Sequence, residues 1–114
     1  MSIELIDNPL ITSLEDDLMG AFGLFPAEVY VISMGDDKYA CNNATLTDGT
    51  TVDGLAVFPT ETDVQIYENL LAGLHGTPKM IKFEEAREIA KSKPRLQALL
   101  LFQMGRIVEV HFIR

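Results

Sequence analysis

The last nineteen residues, LQALLLFQMGRIVEVHFIR, constrain the fold more than any other part of the chain. Leu96–Phe102 is apolar almost throughout. It is far too short to cross a membrane, which takes about 20 residues of helix. A short run with no polar face reads as the central strand of a sheet covered on both sides. Leu99 and Leu101 are then core residues. Gln103-Met104-Gly105 turns the chain, and Arg106–Ile113 returns antiparallel. On that last strand Val108, Val110 and Phe112 alternate with Glu109 and His111. Period-2 alternation predicts one apolar face and one facing solvent. No later segment follows to cover its outer edge, so the edge is expected either to be free or to pair with Val29–Met34.

The rest of the chain supplies helices to cover such a sheet. Asn8-Pro9 suits a helix start, with Asn as N-cap and Pro at the first helical position. Leu10, Ile11, Leu14, Leu18, Ala21 and Phe22 follow at helical spacing, and Gly23 is a natural stop. Val29–Met34 has strand composition, and Gly35-Asp36-Asp37 reads as a turn. Asp48-Gly49 predicts a hairpin with arms Thr45–Thr47 and Thr50–Val52. Leu55–Phe58 reads as a separate buried strand. Thr60-Glu61-Thr62-Asp63 has the shape of a capping box. The stripe Val64, Tyr67, Leu70, Leu71 and Leu74 follows it, and Gly76 can end that helix. Lys79–Phe83 is a short strand. Glu84–Lys93 is a helix with acids first and lysines last, ended by Pro94.

The order is α-β-β-β-β-α-β-α-β-β. Two crossovers between Leu55 and Phe102 predict three parallel strands, and the hairpins around them are antiparallel. The expectation is a single α+β domain over residues 1–114: one mixed parallel and antiparallel sheet with about three helices packed on it. Residues 1–24 supply the N-terminal helix and residues 27–114 the rest. A chain of 114 residues with 47% hydrophobic content can hold a core without disulfides.

Charge narrows the partners. Nine basic residues face 17 acids, for a net charge of −8. Binding nucleic acid depends on cations displacing counterions from phosphates, and here even the densest basic group is only Lys91, Lys93 and Arg95. Nucleic acid and anionic membrane are therefore not expected as partners. The N-terminus has no leader pattern and the chain has one cysteine, so a bacterial cytoplasmic setting is expected.

The motifs VYVISM, DGTTVDGLAVFPTETD, KMIKFEEAREIA and ALLLFQMGRIVEV follow one another from Val29 onward. In this order they resemble the SseB (enhanced serine sensitivity) type of small α/β domain. The resemblance covers about three-quarters of the chain. Pro59 before Thr60 and the N-terminal helix depart from it. It implies a fold and no activity.

Three residues are candidates for ligand binding. Thr60 stands where a strand gives way to a helix, at the edge where open α/β sheets hold ligands. The helices starting near Thr60 and Glu84 should both begin at that edge. Yet Glu61, Asp63, Glu84 and Glu85 already fill those first turns with carboxylates, which favours a cap over an anion site. As a cap, Thr60 should be replaceable by Ser or Asp. Glu109 and His111 share a strand face. They suit either an imidazole oriented for acid–base work or an ordinary solvent face. His75 sits at a helix end with no second metal ligand at a useful spacing. Cys41 reads as a small hydrophobe rather than a reactive thiol. Asp36, Asp37, Asp48 and Asp53 lack calcium-loop spacing and are expected in solvated turns.

No nucleophile–base pair, metal set or phosphate loop emerges, so no cofactor or metal is expected. The reading is a non-enzymatic protein-interaction or regulatory module, with a protein partner or a second copy as a homodimer. The alternative is a small-ligand binder or enzyme using the strand–helix edge near Thr60.

Overall fold

The apolar C-terminal run lies inside a sheet, and that placement organises both cores of the protein. A computed structural model describes residues 4–5, 25–71, 74 and 76–114. The helix expected from Pro9 to Phe22 and His75 lie outside the described residues. The elements are β1 (Glu4–Leu5), β2 (Glu28–Gly35), β3 (Lys38–Tyr39), β4 (Cys41–Thr45), β5 (Thr51–Val57), α1 (Glu61–Leu70), β6 (Thr77–Lys82), α2 (Phe83–Lys91), β7 (Ala98–Gln103) and β8 (Arg106–Phe112). The described helices are thus two, against the three or so expected.

One sheet has five strands in the order β1-β4-β5-β7-β8, and a second has three in the order β3-β2-β6. The larger sheet is mixed: β1 with β4 and β5 with β7 are parallel, while β4 with β5 and β7 with β8 are antiparallel. The smaller is antiparallel. The two meet beyond the end of β5, where Tyr30 and Phe58 exchange backbone hydrogen bonds of 2.7 and 2.9 Å. The fold is a single α+β domain.

Two expectations about the strands need correction. The Asp48-Gly49 hairpin joins Cys41–Thr45 to one unbroken strand, Thr51–Val57, instead of two short arms and a separate strand. Asp53 accordingly sits within β5 and not in a turn. The polar Asp53-Gly54 pair looks like a break in sequence, but Gly54 pairs with Ala98 across the sheet. A Cβ there would lie 2.6 Å from Leu100 Cγ and 2.8 Å from the Ala98 carbonyl oxygen. The glycine permits a close approach.

The second correction concerns β6. It leaves the main sheet and pairs antiparallel with β2, so of the strands expected to be parallel between Leu55 and Phe102 only β5 and β7 are. Its sequence, TPKMIK, buries only Ile81. A strand so polar, with Pro78 in it, suits the edge of a smaller sheet and not an interior position covered on both faces. Consequently, among the described residues, only α1 begins at the carboxyl end of one of the parallel strands. The last apolar run starts its strand at Ala98, and β7 lies between β5 and β8, with β5 in the middle place.

Alternation along β5 and β7 divides the interior into two cores. Ala56, Leu100 and Phe102 pack with Val64 and Tyr67 of α1 and with Phe58. Leu55, Leu99 and Leu101 pack with Ala86 and Ala90 of α2 and with Val29 and Val31 of β2. The helices therefore cover opposite faces of the sheet. On the α1 side Phe58, Tyr67 and Phe102 form an aromatic trio with centroids 4.9–5.6 Å apart. Among the described residues no helix is long and apolar enough to cross a membrane.

Candidate functional site

The three candidate residues do not gather in one place. Thr60 caps α1 on one side of the sheet. Its Oγ1 accepts a hydrogen bond from Asp63 N at 3.1 Å and donates to Asp63 Oδ2 at 2.8 Å. Asp63 Oδ1 in turn accepts from Met104 N at 2.9 Å, in the turn joining β7 to β8. Met104 and Gly105 both have positive φ, as a two-residue hairpin requires. The cap thus fastens a helix start to a hairpin tip, and the Thr60 hydroxyl is used on both its donor and acceptor sides.

Glu109 and His111 do share a face, but it is not the solvent face expected for them. Glu109 pairs with Leu101 and His111 with Leu99, so both stand on the α2 side. One residue beyond Leu101 on β7 the register shifts: Phe102 pairs with Ile107, which leaves Val108 as a bulge. The expected apolar face is broken up as a result. Val110 packs against the α1-side core, Val108 against the α2-side core, and Phe112 is 50% exposed.

What covers Glu109 and His111 comes from distant parts of the chain. Phe25 precedes β2, and Phe83 is the first residue of α2. The Phe83 N–H donates to the Ala27 carbonyl at 2.8 Å, which ties the two segments together. The rings of Phe25, Phe83 and His111 meet edge to face, with centroids 5.2–5.7 Å apart. With Pro26, Ala27 and Glu109 they line a cavity of about 270 Å³.

Glu109 is the unusual group in this cavity. Its residue is 4% exposed. Among the described residues the other buried polar side chains are Asn42 and Asp63. Asn42 accepts a hydrogen bond from the Tyr67 hydroxyl, and Asp63 is held as above. Glu109 Oε1 has no partner. Among the described residues the other buried side-chain atoms without a partner, Asn43 Oδ1 and Arg87 Nε, belong to half-buried residues. Burial pushes the Glu109 carboxyl up to about 7, because the charged form has lost its water. His111 moves below its ordinary value, first through burial and then through the positive charge of Arg87, with Glu84 opposing. Arg87 is itself paired with Glu84 at 3.1 Å. At neutral pH the cavity therefore holds an uncharged imidazole and a carboxyl poised between its two forms.

A second concavity, of about 570 Å³, is lined by Lys38, Tyr39, Cys41, Lys93 and Arg95, among others. Lys93 Nζ is engaged there by the Asp37 carboxylate at 3.1 Å and lies over the Tyr39 ring. Burial raises the Cys41 thiol despite the nearby Arg95 and Lys93, and its Sγ–H faces the Tyr39 carbonyl. That is an inert thiol. No group of three or more His, Cys, Asp or Glu side chains that could hold a metal occurs among the described residues.

Local sequence patterns single out Glu109 and His111 but not the two phenylalanines that enclose them. Phe83 reads as the end of a strand when it begins a helix. Phe25 carries no periodic signal at all. No family model, curated protein or solved structure matches the chain, and the SseB-type resemblance rests on its quoted motifs alone.

Proposed function

We propose that this domain is a non-enzymatic interaction or regulatory module, and that the cavity beside β8 is where it recognises its ligand or partner. The observation that carries the reading is Glu109: a buried carboxyl with an unpartnered oxygen in an apolar cavity. Leaving such a group unsatisfied costs about 1–3 kcal/mol or more. A bound donor would offset that cost. The lining residues Phe25, Pro26, Ala27, Phe83, Glu109 and His111 offer no hydroxyl or thiol nucleophile, which favours binding over covalent catalysis. A bacterial cytoplasmic setting, an SseB-type family and a protein partner or second copy belong to the same proposal. Nucleic acid and membrane do not, given the net charge of −8.

The alternative site near Thr60 draws no support from its geometry, since its hydroxyl is committed to Asp63. A screen of small fragments by two-dimensional NMR tests the choice. Shifts should cluster on Phe25, Phe83, Glu109 and His111. Shifts centred on Thr60 and Glu61 would favour the alternative, and the absence of any clustered shifts would reject the cavity as a site.

A further inference from the structure

We propose that the cavity beside β8 takes a primary alkylammonium group, with its charge against Glu109 and its methylenes against the rings of Phe25 and Phe83. This rests on the cavity being the binding site. A buried carboxyl without a partner has two ways to lower its energy: it keeps a proton, or it meets a cation. The cavity's own walls supply little. Pro26 has no N–H, and the Ala27 carbonyl is taken by Phe83. Among the described residues the other lining side chains are the Phe25 and Phe83 rings, the Ala27 methyl and the neutral imidazole of His111.

The kind of cation follows from the walls. A metal ion would need more ligands than one carboxylate and one imidazole, and no larger set stands there among the described residues. A quaternary ammonium suits aromatic faces but has no N–H to give Glu109 Oε1. A primary ammonium has three donors and an apolar stem. The volume, about 270 Å³, is just below the range of roughly 300–1,000 Å³ usual for drug-sized ligands, so a short chain or a single side chain fits. The net charge of −8 draws cations toward the whole surface.

Among the described residues three other charged or titratable groups bear on the cavity. His111 is on β8 itself. Arg87 and Glu84 come from α2, where they neutralise each other as a pair. An entering ammonium needs Glu109 ionised. With a carboxyl near 7, the ionised fraction rises about tenfold between pH 6 and pH 8, and the apparent affinity should rise with it.

The test is an NMR titration of the full chain, followed at His111 and Phe83. The probes are n-butylammonium, its neutral isostere 1-butanol, and Nα-acetyl-lysine methylamide. At pH 8 butylammonium should bind about tenfold or more tighter than butanol, and should weaken about tenfold at pH 6. Glu109→Gln should abolish both the preference and the pH dependence. Equal binding of butanol and butylammonium in the wild type would overturn the ammonium assignment while leaving the cavity as a binding site. That comparison does not depend on the variant. A preference that survives in Glu109→Gln would overturn it too. If no probe shifts the cavity resonances, the binding site itself is wrong. Within a supporting result, tighter binding of the lysine derivative points to a side chain of a protein partner, and tighter binding of butylammonium to a free amine.

Discussion

Single residues carry the chemistry here, and two of them give opposite signs with pH. The Glu109 carboxyl sits near 7 in the folded protein against an ordinary 4.5, so folding favours its protonated form. The unfolded chain ionises first. Stability should therefore fall as pH rises from about 4.5 to about 7, with the loss complete above that. Glu109→Gln should match wild type at pH 4 and exceed it at pH 8, as read by urea melts at each pH. A wild type that keeps its lead at pH 8 would contradict this. His111 acts the other way: its lowered value makes stability fall as pH drops below about 6.5. The difference between wild type and Glu109→Gln isolates the carboxyl. Thr60→Ala should cost about 0.5–2 kcal/mol, since it removes a cap, and Thr60→Ser should be close to neutral. The Asp replacement expected from sequence to be equally good should instead destabilise. It would set a second carboxylate against Asp63, where Thr60 now donates. Denaturation of the three variants checks the order.

At the scale of elements, apolar patterning and the hairpin turns were informative, and the place of β6 was not. Leu99 and Leu101 were legible as core because a run of five apolar residues has no polar face to expose, and both are fully buried. Leu99→Ala and Leu101→Ala should each cost about 2–5 kcal/mol. Melting within a degree of wild type for both would contradict their place against α2. The Thr60–Asp63 cap was legible because its partners lie three residues apart. The departure of β6 from the main sheet was not, since it depends on which neighbour accepts a polar strand. The unbroken β5 was hidden for a similar reason: Gly54 looks like a turn residue until Ala98 and Leu100 are beside it. Gly54→Ala should destabilise by about 1–3 kcal/mol, the usual cost of overpacking, measured in the same melts. The cavity was half legible. Glu109 and His111 stand two apart and share a face by geometry alone. Their burial depends on Phe25 and Phe83, which only the folded chain brings together.

For the molecule as a whole, a sheet clothed by helices on both faces still leaves edges. No strand pairs with the outer edge of β8 among the described residues, because β2 is occupied by β3 and β6. Such an edge is a template for another chain. Self-pairing through it predicts a mass in light scattering that rises with concentration, and Val110→Pro should reduce it. A constant single-chain mass would contradict self-pairing. The same strand carries the cavity on its α2 side, so edge and cavity belong to one strand. Both rest on how β8 is seated, and the seating has one direct consequence: Glu109 is shut away from water. Its carboxyl can be followed by ¹³C NMR across a pH titration of the intact protein. A midpoint near 7 is what a buried, unpartnered Glu109 requires, and a midpoint at the ordinary 4.5 would mean a solvated carboxylate and no such site.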